Sequence, residues 1–324
     1  MASENNLERA EGLYFQDGSL IIQAENTLFR VYGQHLASHS TFFRDMLAIP
    51  TADAAESMDG CPFVRAHDSA SDMNTFLKAM MYPSFFEPPP ATTDFTTVAA
   101  LLRLSHKYDV EWLLKRALSH MNLAHPTTLD GWYKSRDQIQ HISRGCSAEQ
   151  CISTIVLARS LSLLWLLPMA FYRLGRTISS KPVLESTQLS PGDKQRWIDG
   201  TRELDRTYRT TVLRFLSYPV HLQGCKNRDS SICAKLRAAY AVQATNIRLA
   251  EAEMPKTMPL DIWTQTNWQT VEASGRGQIC SSCIASMKQA QRLADEECWN
   301  KLPHIFGIGD WATLEAEKTR MVGV

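Results

Sequence analysis

Hydrophobic and polar positions alternate in two short runs near the start of the chain, and then the period changes. Leu20, Ile22 and Ala24 fall on one face of the first run, with Ile21, Gln23 and Glu25 on the other. After a polar Glu25-Asn26 turn, Thr27, Phe29 and Val31 alternate with Leu28, Arg30 and Tyr32. Residues 17–32 therefore predict a β-hairpin introduced by the Asp17-Gly18 turn. Leu36, Phe43 and Leu47 then recur at helical intervals, with Ser38 or Ser40 placed to cap a short helix. The small, polar residues 51–60 predict a loop, and the partial alternation of residues 61–67 predicts a third strand. Asp68 to Ser71 offers caps for a helix carrying Met73, Phe76, Leu77, Met80 and Met81, which ends before Pro83. Pro88, Pro89 and Pro90 fall in an exposed loop. Asp94 caps a helix with Val98, Leu101 and Leu102 on one face. His106 to Asp109 makes a turn, and Leu113, Leu114, Ala117, Leu118 and Met121 mark the helix that follows.

Beyond His125-Pro126 the strand signal fades and helical spacing takes over. Residues 147–173, 193–218, 231–254 and 283–301 predict helices, separated by Pro- or Gly-containing linkers at 179–192, 219–230 and 255–278. In the second of these, Trp197, Leu204, Tyr208 and Phe215 share a face, and Gly200 weakens it. The most apolar run, 160–172, is shorter than the roughly 20 residues a membrane span needs and is flanked by arginines. It predicts a buried helix kinked or ended at Pro168. No repeat of the size that builds solenoids or propellers is visible. The aromatic and aliphatic residues of 302–314 predict a cluster packing the end of the chain onto the helices.

The order of a hairpin, two short helices, a strand, a helix and a leucine-rich helical hairpin with a Lys107-Tyr108 turn resembles a BTB/POZ domain. The likeness covers roughly residues 14–125 and extends, more loosely, to the BTB proteins of mushroom-forming fungi, in which a helical region follows. It implies an α+β fold in three parts: an N-terminal tail at 1–13, a BTB/POZ domain at 14–125, and a mainly α-helical region at 126–324. The resemblance also implies a non-enzymatic protein–protein interaction function. Family members dimerise through a two-fold interface of N-terminal strands and first helices, and some recruit partners as substrate adaptors of cullin-type ubiquitin ligases. The interaction residues it suggests here are Asp17, Leu20, Leu36, Phe42 and Phe43. Pattern alone leaves open how these apolar residues, with Phe29, divide between core and interface. Asp17 matches the family's groove aspartate, but Tyr32 stands where the partner histidine is expected. Ala54-Ala55-Glu56 is the nearest match to the hydrophobic-x-Glu element of cullin binders.

Charge and cysteine usage narrow the picture further. Lys plus Arg equals Asp plus Glu, 34 each, so no global field favours nucleic acid or an anionic membrane. The arginines of 202–214 are interleaved with acidic residues and read as a solvated helix face; a metal-stabilised regulator bound to nucleic acid is the distant alternative. The first residues lack the pattern of a secretory signal, which points to a cytoplasmic or nuclear protein whose eight cysteines are reduced thiols or metal ligands. Cys280-Ser-Ser-Cys283 has the spacing to place two thiolates on one metal ion. Cys225 and Cys233, with seven residues between them, are the nearest candidates to complete a structural zinc site; Cys298, His221 or His304 are the substitutes. Unliganded thiols remain the other reading, and a redox Cys-x-x-Cys lacks its usual βαβ setting. Nucleotide-binding and nucleophile-elbow motifs are absent from the sequence, and an enzyme is not expected.

Overall fold

The computed structural model describes residues 7–49, 57–137, 147–177, 179–217, 224–227, 231–249, 258–273 and 279–322. The fold is α+β, with one five-stranded sheet and a majority of helix. It divides into two compact units: the first takes residues 1–124 with 135–144 and 320–324, the second 125–134 and 145–319.

The first unit is built on strands β1 (Glu8–Tyr14), β2 (Leu20–Ala24), β3 (Thr27–Val31), β4 (Ser57–Met58) and β5 (Cys61–Ala66), in the order β1-β3-β2-β5-β4. β2 and β3 form the expected antiparallel hairpin, with Ile22 opposite Phe29. β5 joins β2 in parallel, with Ile22 beside Val64. One face of β2 buries Leu20, Ile22 and Ala24, and on the other Ile21 packs with Leu28 and Cys61. β1 occupies the edge beside β3, in parallel, within the stretch whose sequence reads as a tail. A register shift between Arg9 and Tyr14, with Gly12 at a positive φ of 72°, spaces the buried Ala10 and Leu13 three apart. That bulge hides the period-two signature by which a strand is read.

Short helices α1 (Gly33–His39) and α2 (Thr41–Ala48) follow the hairpin, and Ser40 caps α2 by accepting the Phe43 N–H at 3.1 Å. α3 (Ala70–Met81) is capped by Ser69 and buries Met73, Phe76, Leu77 and Met80. α4 (Phe95–Lys107), capped by Asp94, and α5 (Glu111–Ala124) form the helical hairpin. Tyr108, in its turn, stacks on Phe43 at 5.0 Å and lies 5.6 Å from Phe76. Its hydroxyl donates to Asp68, whose carboxylate also receives Lys107 Nζ at 2.7 Å. Burial and the Asp68 charge push the Tyr108 phenol well above its ordinary value, so it stays a donor. The Tyr108 carbonyl accepts from Ser40 Oγ at 2.5 Å.

Helices α6 (Leu129–Asp137), α7 (Ala148–Ser160), α8 (Leu167–Leu174), α9 (Lys181–Glu185) and α10 (Pro191–Glu203) follow. The run over 160–172 departs from expectation. Ser162, at a positive φ of 56°, ends α7, and Leu163 N–H reaches back to the Ala158 carbonyl at 2.8 Å. Pro168 lies in the first turn of α8, where its missing N–H costs nothing, so it starts a helix instead of ending one. Arg159 Nη2 meets the buried Asp193 at 2.7 Å, tying α7 to the start of α10. A π-helical turn at Leu204–Tyr208 links α10 to α11 (Arg209–Val212) and α12 (Arg214–Ser217). Then come α13 (Ile232–Leu249), α14 (Gln265–Ala273), α15 (Ser281–Ile305) and α16 (Trp311–Val322). α14 and a 3₁₀ turn at Pro259–Asp261 occupy part of the stretch read as linker. Trp299 and Trp311 stack at 5.2 Å, realising the C-terminal aromatic cluster.

Cys151 is disulfide-bonded, against the expectation of reduced thiols throughout, while the other six described cysteines are free. Among the described residues, no helix is long and apolar enough to cross a membrane.

Gly200 explains its own presence in a helix. A Cβ there would lie 2.3 Å from the Phe306 ring, which is fully buried and stacked on Phe171 at 5.3 Å. Glycine in a helix interior costs about 1 kcal/mol relative to alanine, whereas overpacking a rigid ring costs about 1–3 kcal/mol. Gly200→Ala is therefore expected to lower stability by up to about 2 kcal/mol, read from urea unfolding; a raised midpoint would contradict the close packing.

Candidate metal centre

Four cysteines from separate stretches of chain converge in the second unit. The sulfurs of Cys225, Cys233, Cys280 and Cys283 all lie within 4.8 Å of one another. Cys225 comes from the short segment 224–227, entered through Gly224 at a positive φ of 77°. Cys233 sits in the first turn of α13, directly after Ser231 at a positive φ of 55°. Cys280 is the N-cap of α15, in extended conformation, and Cys283 is the third residue of that helix. Two helix N-termini thus bring backbone N–H groups and positive dipole ends to the cluster, an arrangement that favours thiolates.

Specific hydrogen bonds add to this field. Cys233 Sγ accepts from the Cys280 N–H at 3.3 Å and from Asn227 Nδ2 at 3.4 Å. Burial opposes ionisation of Cys280, but the backbone N–H groups of Cys283 and Lys226, with the neighbouring thiols, outweigh it and bring Cys280 down to about 6. Burial and the same neighbours push Cys283 up, so the two thiols divide one proton's stability between them. Cys233 and Cys283 are buried; Cys225 and Cys280 are half-buried.

The cluster rests on an apolar core of Phe215, Leu216, Trp263, Trp268, Val271, Ile279 and Met287. Phe215 lies 5.4 Å from Trp263 and 5.5 Å from Trp268. Gln291, about two turns beyond Cys283 on α15, accepts from Trp268 Nε1 at 2.7 Å and donates to the Trp263 carbonyl at 2.9 Å. α14 is held to α15 by these bonds, and the sulfurs share their inner wall with the tryptophans.

The donor set suits a soft, tetrahedral ion. Four sulfurs each about 2.3 Å from zinc stand about 3.8 Å apart, a modest contraction from the observed cluster. The four sequence-nominated cysteines come together, and two of the substitutes do not. Cys298 and His304 lie 15 and 21 residues beyond Cys283 on α15, which places them about 22 and 32 Å along its axis. His221 lies outside the described residues.

The suggested interaction residues sort differently. Leu20, Leu36 and Phe43 are buried within the chain and supply core instead of contact surface. Each points inward from β2, α1 or α2. Phe42 is 45% exposed. Asp17 is exposed and accepts from the Tyr32 hydroxyl at 2.9 Å. Tyr32 also stacks on Phe15 at 4.9 Å, and Tyr82 and Phe85 are similarly exposed. Pattern could not mark Tyr82 and Phe85, because they belong to no periodic face. Ala54, Ala55 and Glu56 lie outside the described residues.

Comparison with protein-family models, curated proteins and solved structures finds no match to the chain.

In the chain freed of metal by chelator, iodoacetamide at neutral pH is expected to modify Cys280 at least about tenfold faster than Cys283 or Cys298. Burial raises the Cys298 thiol and covers it almost completely. Peptide mass spectrometry over a time course reads the order; faster labelling of Cys283 would contradict it.

Proposed function

We propose that the chain is a non-enzymatic interaction protein whose first unit is a BTB/POZ-like module that joins it to a second copy or to other polypeptides. The observation that carries the reading is the order of elements: hairpin β2–β3, short helices α1 and α2, strand β5, helix α3, then the α4–α5 hairpin pinned by Tyr108. The exposed side chains Phe42, Tyr32, Tyr82 and Phe85 support it, since aromatic residues are favoured where one protein surface meets another. A cytoplasmic or nuclear setting goes with this role.

In the second unit, one structural zinc ion bound by Cys225, Cys233, Cys280 and Cys283 completes the reading. A full set of four thiolates leaves no open position for substrate, which suits a structural ion. Zinc bound there adds its binding free energy to the stability of the helices that bear the ligands.

Two measurements test the two halves separately. Light scattering at tens of micromolar is expected to give twice the chain mass, and a monomer would remove self-association. Metal analysis of protein purified without chelator is expected to give about one zinc per chain. Less than about a tenth of an equivalent would remove the zinc site. Cys233→Ser, at one of the two buried ligands, is expected to lower zinc content severalfold without changing the mass seen by light scattering.

A further inference from the structure

The four-cysteine site is asymmetric, and the asymmetry bears on what oxidants do to it. Cys233 and Cys283 are buried, whereas Cys225 and Cys280 reach the surface. A small oxidant therefore meets Cys225 or Cys280 first. The two differ in what stands beside them. Cys225 and its neighbour in sequence order, Cys233, belong to different segments, one on the 224–227 stretch and one on α13. That pair is linked through the hydrogen bond from Asn227 to the Cys233 sulfur, which is itself a ligand atom and loosens with the site. Cys280 and Cys283 share the first turn of α15, so their sulfurs stay adjacent whether or not metal is present.

We infer that Cys280 is a modification site for hydroperoxides, and that its oxidation to a disulfide with Cys283 ejects the metal ion. The inference rests on the metal reading above. Positions three apart on a helix have Cβ atoms about 5–6 Å apart, and a disulfide needs about 3.5–4.5 Å. Cys280 supplies the difference: as the N-cap it has extended backbone and enters the helix through its carbonyl, which accepts from Ile284 N–H at 3.0 Å, so its side chain can rotate without unwinding α15. Ser281 and Ser282, between the two, present no bulky side chain to block closure.

The chemistry balances with a hydroperoxide as the only co-reactant. The Cys280 sulfur attacks the outer peroxide oxygen; the O–O bond breaks, leaving Cys280 sulfenic acid and an alkoxide, or hydroxide from hydrogen peroxide, that takes a proton to become the alcohol or water. The Cys283 thiolate then attacks the sulfenic sulfur, the S–S bond forms, and the sulfenic oxygen leaves as hydroxide that is likewise protonated. Two sulfurs lose two electrons in all, and the peroxide gains them. With hydrogen peroxide, the tetrathiolate complex and two protons give one disulfide, two remaining thiolates, one free divalent ion and two waters. Two thiolates from separate segments hold zinc far more weakly than four.

The test uses the zinc-loaded full chain, hydrogen peroxide in about tenfold excess, and a chromogenic zinc indicator, followed by peptide mapping under non-reducing conditions. The expected result is release of about one zinc per chain in step with a Cys280–Cys283 disulfide, reversed by dithiothreitol plus zinc. Cys61→Ser and Cys298→Ser, at cysteines outside the cluster, are expected to leave the release unchanged. Zinc retained throughout, or released with a disulfide between other cysteines, would overturn the inference while leaving the zinc site standing. A chain that purifies without zinc overturns the metal reading itself, and the inference with it. Because the decisive measurement is made on the unaltered chain, a folding defect in either variant does not decide the outcome.

Discussion

Four sulfurs held within 4.8 Å of one another set the constraint on which the arrangement of α12 to α15 depends. Thiolates at that distance repel, and thiols there gain little from one another. The cluster is satisfied when a cation balances it, with N–H groups aimed at the sulfurs from behind. The chain provides the second of these: α13 and α15 both begin at the cluster, and Cys233 accepts from Cys280 N–H and Asn227. The surrounding apolar residues then exclude water from its inner side. Cys233 and Cys283 are themselves part of that core, so losing the charge balance would disturb the packing of Phe215, Trp263 and Trp268.

The first unit is held in a different way. Its sheet buries both faces of β2, and the α4–α5 hairpin is fastened by one side chain that does several jobs at once. The Tyr108 ring fills space between Phe43 and Phe76, its hydroxyl answers Asp68, and its carbonyl answers Ser40. The residue after it, Asp109, takes a positive φ of 51° to let the chain reverse. With the interior so fully used, Tyr32, Phe42, Tyr82 and Phe85 are left among the exposed side chains, with Asp17 bonded to Tyr32.

How far the sequence discloses this depends on whether the responsible signal is periodic. The β2–β3 hairpin, α3 and the α4–α5 pair are written in spacing and caps, and they are found where the spacing places them. β1 is not, because the bulge at Gly12 turns its inward positions from a period of two to three. The end of α7 is hidden for a related reason. The left-handed cap residue is Ser162, where glycine would have been the readable sign, and Pro168 drew attention instead. Burial cannot be sorted by pattern either: Phe42 and Phe43 are adjacent and equally apolar, yet one is 45% exposed and the other 2%. The metal centre was half legible. Cys280 and Cys283 carry a recognisable spacing, whereas Cys225 and Cys233 join them only through the fold, across at least 46 intervening residues.

These two modes of stabilisation respond to different conditions. Apolar burial around Tyr108 is insensitive to metal supply and oxidants, so the surface it supports persists when either changes. On the metal reading proposed above the cysteine cluster depends on both, because each sulfur is then a ligand as well as an oxidisable group, and Cys233 and Cys283 are core residues besides. Placing the ligands at helix N-termini sharpens that dependence: the same N–H groups that suit a metal-bound thiolate also keep the free sulfur reactive. Gln291 confines the effect by holding α14 to α15 through hydrogen bonds that involve no sulfur. On the proposed metal reading, metal content is therefore coupled to the local order of α13 and the 224–227 segment, while the body of α15 has other reasons to stay folded.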